Sequence, residues 1–434
     1  MTHTFILWFV AFWFAAFLLL GQNVSTVLFG AGLVGMYFWV GPRIFDGIIG
    51  QDVFFTASSY SLSIIPLYLL MAQFLMRGGL LVDLFRVGHR LSGYKRYPLG
   101  VATLITGGLL GAVSGSGSAS AAALATLAGP ELERVGYTRR FSIGLAAIAG
   151  SLSAIIPPSL IVIIYGSITT VSIGKLFIGL LGPGILCMLV YMVCLRVFSE
   201  IRPDAVEGVA PEGAEDIGGG SLAAAGFMIA LMVVVFGGIY GGIITVGEAG
   251  AIGAFAALVG LVLMRRIGFR DIAHALADSV KITAMLMMLV IGAQIFARFL
   301  SISRVPRELL TLAEPLLNSP GIIVTLLMIL LFVAGMILES AAVILLIVPI
   351  ILPILQAAGI DLLWFGVMAS FMIALGLLTP PVGLSAYAAA AAARYPVAQV
   401  FRPATQFALV AAVVVTAAMI LFPGLVTWLP SHVR

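Results

Sequence analysis

Four residues that fix backbone geometry, Pro130, Gly136, Pro157 and Pro158, return as Pro353, Gly359, Pro380 and Pro381, each 223 positions later. A common offset in prolines and glycines marks an internal repeat, and a repeat confines the chain to folds built from two like halves. The surrounding residues narrow the choice. The chain is 62% hydrophobic and only 9% charged, where soluble domains carry about 25% charge. Apolar runs of about 20 residues recur from end to end, enough to carry a helix across a bilayer, so helices and not a barrel are expected. The predicted class is an all-α integral membrane protein.

The repeated residues sit where apolar sequence is interrupted. Ser114-Gly115-Ser116-Gly117-Ser118 separates two apolar legs of about 16 residues each, short for a full crossing. That pattern predicts a re-entrant hairpin over 98–134 whose two ends emerge on one side. A span over 141–170 follows, broken at Gly150–Pro158, where proline removes an N–H and clashes with the preceding turn. The second half repeats the order: a hairpin over 321–356 with its tip at Gly335–Ser340, then a span over 361–393 broken at Gly376–Gly383. Residues 267–280 and 301–319 read as polar connections in that half. The acidic, glycine-containing stretch 201–220 reads as a solvated linker between repeats 1–200 and 221–434.

Alternating spans put segments 77–97, 131–140, 196–220, 265–281 and 394–402 on one side. They hold sixteen of the 22 Lys and Arg residues, leaving Arg43, Lys175, Arg298, Arg304, Arg307 and Arg434 for the other. By the positive-inside rule the basic side is cytoplasmic. Both termini then face outward, hairpin one enters from the cytoplasm and hairpin two from outside. The halves are inverted repeats, which places a binding site near the midplane, where broken helices leave backbone groups for a substrate or ion.

Several features admit a plainer reading. Serine and glycine also occur where membrane helices pack closely, so 114–118 is either a tip or a packing face. The two breaks are either sites or packing kinks. Glu339, deep in apolar sequence, is either a functional acid or the first-turn cap of the second leg. Glu248 reads as a structural acid at a span's start. Cys187 and Cys194 read as packed thiols, and the aromatic N-terminal run as a helix facing lipid or a subunit. With no Lys or Arg before that run, a retained first helix is expected and not a cleaved signal.

No catalysis is indicated. The histidines, His3, His89, His274 and His432, lie near termini or in apparent loops, and no phosphate-binding GxxxxGK[ST] occurs,. The net charge of +4 sits in loops and implies no nucleic acid.

Together these residues resemble a known family. Ser114-Gly115-Ser116 with Pro130-Glu131-Leu132 and Gly136-Tyr137, Ile156-Pro157-Pro158-Ser159 with Tyr165-Gly166, and Ser172–Phe177 carry the likeness in the first half. Glu248-Ala249, Pro349 with Pro353, and Gly376–Gly383 carry it in the second. The chain is similar to the large membrane subunit of tripartite ATP-independent periplasmic (TRAP) transporters. The resemblance implies an elevator-type carrier of the bacterial inner membrane, taking up dicarboxylates, sialic acid or related carboxylates with Na⁺ as coupling ion and no other cofactor. It also implies a small four-helix membrane subunit and a periplasmic binding protein as partners. The spans of fused versions are absent, so the small subunit is expected as a separate chain. Gly117 stands in place of the last serine of the family's usual Ser-Gly-Ser-Ser tip, with Ser118 next, and Glu339 where the second tip usually has Asp. A stand-alone sodium- or proton-coupled di/tricarboxylate carrier of related hairpin fold is the alternative.

The expected site follows from the two tips facing the two breaks. Substrate is assigned to Ser114, Gly115, Ser116, Ser118 and Pro158, with Gly335, Glu339, Ser340, Pro381 and Gly383, because helix N-termini attract anions. Sodium is assigned to Ser116, Ser118, Gly150, Ser153 and Pro157 in one half and Gly335, Gly376, Thr379 and Pro380 in the other, as hydroxyl and carbonyl ligands.

Overall fold

A computed structural model describes residues 3–42, 49–93, 95–201 and 221–433, and every regular element among them is a helix. Among the described residues nine helices are long and apolar enough to cross a membrane. The expected linker at 201–220 falls, Ile201 apart, outside the described residues.

The repeat is written in the backbone. At Gly136 the chain leaves a helix by three hydrogen bonds, from the N–H groups of Val135, Gly136 and Tyr137 to the carbonyls of Glu131, Glu133 and Leu132. At Gly359 the same three run from Ala358, Gly359 and Ile360 to Ile354, Gln356 and Leu355. Both glycines have positive φ, 92° and 65°, the left-handed geometry that ends a helix and that a Cβ opposes. Thr138 and Asp361, one residue beyond each turn's end, then hold the N-cap positions of the two broken helices, Asp361 accepting from the Leu363 and Trp364 N–H groups. Pro157–Pro158 and Pro380–Pro381 are both cis.

The elements correspond in order. The first half runs His3–Leu19, Val24–Val40, Tyr60–Arg77, the amphipathic Leu80–Leu91, a hairpin of Arg96–Ser114 and Gly117–Leu127, a broken helix of Arg139–Ile155 and Leu160–Thr169, and Ile173–Ile201. The second runs Leu222–Tyr240, Val246–Leu263, Phe269–Ser303, the amphipathic Val305–Ala313, a hairpin of Pro320–Ile337 and Ser340–Ala357, a broken helix of Leu362–Gly376 and Leu384–Ala392, and Val397–Leu421. Gly79 and Arg304, both left-handed, open the two amphipathic helices.

Packing exchanges partners between halves. Val24–Val40 lies along Phe269–Ser303, and Val246–Leu263 lies along Tyr60–Arg77. Glycines permit the approach: a Cβ at Gly32 would stand 2.8 Å from the backbone of Ile295, the small-residue contact expected where lipid gives no hydrophobic drive between helices. The hairpins cross in the same way. The second leg Gly117–Leu127 packs on Leu384–Ala392, and Ser340–Ala357 packs on Leu160–Thr169. The result is a bundle of hairpins and broken helices beside a bundle of exchanged pairs.

Charge is gathered at one end. Arg77 pairs with Asp278 and Arg266 with Asp83. The Arg96 Nε donates to the Val135 carbonyl over 3.1 Å. Arg139 lies 5.4 Å over the ring of Tyr395, and Arg196 the same distance over Tyr97. These contacts join members of all five segments expected on the basic side. Glu248, as expected of a structural acid, forms a capping box with Thr245 at the start of its helix.

Four expectations change. Residues 267–280 do not connect spans; one 35-residue helix, Phe269–Ser303, runs through them. No proline interrupts 269–303, and the Asp271 carboxylate accepts from the Gly268 N–H to secure the start. The breaks and tips are also shorter than expected: Gly150 and Ser153 are helical, as is Gly335, and the chain departs from helix at 156–159, 377–383, 115–116 and 338–339. His89, expected in a loop, is buried in Leu80–Leu91, its Nε2 3.6 Å from Glu131 Oε2. Helices Gly50–Ala57 and Gly424–His432 were not anticipated by the apolar pattern.

Candidate functional site

A cavity of about 830 Å³ lies where the two bundles meet. Residues 115–119 of the first tip and 339–342 of the second both line it, with Ala154, Leu160, Ile161, Leu377 and Leu384 from the broken helices. The opposite wall is Asn23–Thr26, Leu69, Ala72, Gln73, Met76 and residues from 282–289. Legs of 18 residues make the second hairpin long enough to span by length alone. Its tip nonetheless meets the other tip at one cavity, so both hairpins turn inside the protein.

Local chemistry explains the first tip. Gly115 has φ +57°, and a Cβ there would stand 2.9 Å from the Pro158 carbonyl oxygen. The backbone can turn against the break only with glycine. Ser116 then takes extended geometry and opens the second leg. Its carbonyl accepts from the Ser153 hydroxyl over 3.0 Å, and its Oγ lies 3.3 Å from that of Ser118. Ser153 also bonds the Gly150 carbonyl, at 2.7 Å. The second tip has no glycine turn. Glu339 caps its own helix, its carboxylate accepting from the Ala341 N–H over 2.8 Å. The N–H groups of Val382 and Gly383 donate to the Met336 carbonyl, which ties the second break to its hairpin. Thr379, fully buried, donates to the Gly376 carbonyl over 2.8 Å. Each tip therefore touches the break of its own repeat.

Of the expected substrate residues, Gly115, Ser116, Ser118, Glu339 and Ser340 line the cavity. Pro158 stands behind Gly115, Gly383 caps Leu384–Ala392, and Pro381 is exposed; none of these three lines it. The side chain of Ser114 falls outside the described residues. Of the expected sodium residues, Ser153 joins Ser116 and Gly150, and Thr379 joins Gly376. Pro157 is buried and Pro380 exposed, so the second break opens to a surface while the first is enclosed. Gly150, Gly335 and Gly376 also serve close packing. Added Cβ atoms would stand 2.4 Å from Ala121 N, 2.7 Å from Ile373 O and 2.5 Å from Phe332 O.

Two groups went unread in the sequence. Gln73 and Asn23–Thr26 form the polar part of the far wall; Gln73, alone in an apolar run, is the detectable one. Ser385 is completely buried with no hydrogen-bond partner for its Oγ among the described residues. That oxygen faces the first tip, 3.2 Å from where a Cβ of Gly117 would stand.

Glu339 is the one ionisable residue among those lining the cavity. Its capping contact makes a prediction: Glu339→Ala should lower stability by about 1 kcal/mol while Glu339→Gln, which keeps an acceptor, lowers it by less. Thermal unfolding of the purified detergent-solubilised variants compares the two. Equal losses would show that the charge and not the cap matters.

Residues 11–425 match the family described as the tripartite ATP-independent periplasmic transporter, DctM component. The chain belongs to this family. It is 32% identical over 381 residues to the C4-dicarboxylate TRAP transporter large permease protein of Pseudomonas aeruginosa, covering 87% of this chain and 86% of that one. It is 30% identical over 375 residues to the 2,3-diketo-L-gulonate TRAP transporter large permease protein of Escherichia coli, covering 83% of each. In fold it is similar to the YdaH transporter of Alcanivorax borkumensis, with a TM-score of 0.70 at 15% identity over 94% of this chain and 98% of that one. A TRAP large permease is the large membrane subunit of a binding-protein-dependent secondary transporter, and this one is a multi-pass protein of the bacterial inner membrane. Membership implies a small membrane subunit and a periplasmic binding protein beside it, which favours the tripartite assembly over a stand-alone carrier.

Proposed function

We propose that this TRAP subunit takes up small carboxylates with sodium as coupling ion, by an elevator movement of the hairpin bundle against the bundle of exchanged pairs. One observation carries the reading: two tips, each seated on the break of its own repeat, meet at one cavity on the boundary between bundles. Charge supports it. Two helix N-termini, at Gly117 and Ser340, open at the cavity and favour an anion,. The lining offers no basic side chain, and Glu339 is an acid. A carboxylate entering there needs cations bound alongside it, and the hydroxyl–carbonyl groups Ser116–Ser153–Gly150 and Thr379–Gly376 are of the oxygen type that hard cations prefer. Both relatives' names specify carboxylates, a C4-dicarboxylate and a gulonate.

In this reading the repeats divide at 201–220, the basic end is cytoplasmic by the positive-inside rule, and the small four-helix subunit and the loaded binding protein complete the carrier. Reconstitution tests it. In proteoliposomes the chain alone should transport little, and adding both partners should restore uptake under an inward sodium gradient. Full uptake by the chain alone would favour a stand-alone carrier; uptake with partners but without sodium would refute the coupling.

A further inference from the structure

A second cavity, of about 440 Å³, lies on the same boundary. Arg298 marks its position along Phe269–Ser303: it lies twenty residues beyond Asp278, the partner of Arg77 at the basic end, and so about 30 Å along the helix. The cavity is therefore toward the opposite end of the molecule. Its wall is the repeat counterpart of the central cavity's wall. Leu69, Ala72, Gln73 and Met76 line the central cavity. Gln294, Ala297, Arg298 and Ser301, each 225 positions later, line the second. The same offset carries Gly79 to Arg304, the left-handed residues at the ends of those two helices.

The walls match in position and differ in chemistry. Where the central wall has the amide of Gln73, the second has the guanidinium of Arg298. Its Nε lies 3.5 Å from Asp52 Oδ2, with the Arg298 side chain 51% exposed and that of Asp52 27%. An ion pair this open to water is weakly held and can exchange partners. A guanidinium presents a planar fork that fits a carboxylate with two parallel hydrogen bonds. Ser167 and Leu345, from the helix after the first break and the second hairpin, close the other side.

We propose that this pocket is a second anion station, at the end opposite the basic one, where Arg298 exchanges the carboxylate of Asp52 for that of a small organic acid. The guanidinium always holds one carboxylate: its own Asp52 when no acid is present, and the acid's once Asp52, partly exposed, turns to water, where its charge still opposes the incoming anion. The proposal rests on the transport reading for why an acid arrives, but its binding chemistry is testable without transport.

Ser301→Cys places a thiol in the pocket, while the native Cys187 and Cys194 are buried. The full chain in lipid nanodiscs is treated with an anionic methanethiosulfonate (sulfonatoethyl) and, separately, a cationic one (trimethylammonioethyl). Adding Arg298→Gln should lower the anionic-to-cationic rate ratio by about fivefold, and adding Asp52→Asn should raise it by a similar factor. Succinate at millimolar concentration should slow modification in the parent and more strongly with Asp52→Asn, and should give no protection with Arg298→Gln. Arg298→Lys keeps the charge and loses the fork, so it should preserve the rate ratio and weaken protection. Unchanged ratios in both charge variants, or equal protection with and without Arg298, would overturn the station. Monodispersity on size exclusion screens each variant for folding, and the Asp52→Asn and Arg298→Lys arms stand if Arg298→Gln fails it. Failure of sodium-driven uptake in the reconstituted complex would count against the transport reading and leave these ratios untouched.

Discussion

Gly150→Ala is expected to cripple the protein, although alanine is the better helix former. Gly150 is helical and sits where Arg139–Ile155 crosses the second leg of the first hairpin. Its new methyl would stand 2.4 Å from the nitrogen and 2.5 Å from the Cα of Ala121. Both neighbours are backbone, so no side chain can swing aside and the two helices must separate. Overpacking against mobile side chains costs about 1–3 kcal/mol, and the backbone case should lie at or above the upper end. Separation would also pull Ser153 from the Ser116 carbonyl, so transport should fail with stability. Gly226→Ala is the control, since nothing lies within 4 Å of its Cβ position and the residue is exposed on a helix. There the gain in helix propensity is about 1 kcal/mol. Thermal unfolding and size exclusion of both variants measure the contrast; a Gly150→Ala protein as stable as the control would mean that the two helices separate here at little cost.

Thr379→Val and Ser153→Ala should both make uptake demand more sodium. The two hydroxyls lie 2.8 and 2.7 Å from a glycine carbonyl three residues earlier, Ser153 sharing its one proton between that carbonyl and the carbonyl of Ser116, which leaves the oxygen lone pairs for a cation. Loss of one such ligand corresponds to about 1 kcal/mol, or roughly a fivefold rise in the half-saturating sodium concentration. Combined, the two changes should multiply if they serve separate ions. The affinity of the isolated binding protein for its substrate should not move. Sodium titration of uptake in proteoliposomes reads all of this, and wild-type dependence in both single variants would transfer the ion sites to backbone carbonyls or to other residues such as Ser385.

The architecture was legible because prolines and glycines act on the backbone alone. Pro157 and Pro158 break a helix whatever surrounds them, and Gly136 ends one because only its φ permits the turn. Their repetition at one offset announced both halves. The extents of the breaks were not legible. Gly150 and Gly335 looked like interruptions, yet they are helical, because a glycine flanked by good helix formers stays in the helix when a neighbouring backbone presses on it. The continuation of Phe269–Ser303 through its polar first turns was hidden for a similar reason: polarity is not a stop signal without a proline or a left-handed residue. Of the site, the tips could be named, since small polar residues amid apolar legs stand out. Its far wall could not, because Ala72, Met76 and Leu69 differ in no local respect from residues facing lipid. Only the exchange of helices between halves brings them to the cavity.

That exchange has a genetic consequence. Val24–Val40 finds its partner in Phe269–Ser303, and Val246–Leu263 finds its own in Tyr60–Arg77, so each half alone leaves two of its long helices without their partners. Each would leave its glycine-lined faces against lipid if made alone. The polypeptide is in effect a heterodimer with its two members joined in one reading frame. Cleaving that frame into two genes would create subunits that are each other's obligate chaperone, and an excess of either would be lost to the cell's membrane proteases.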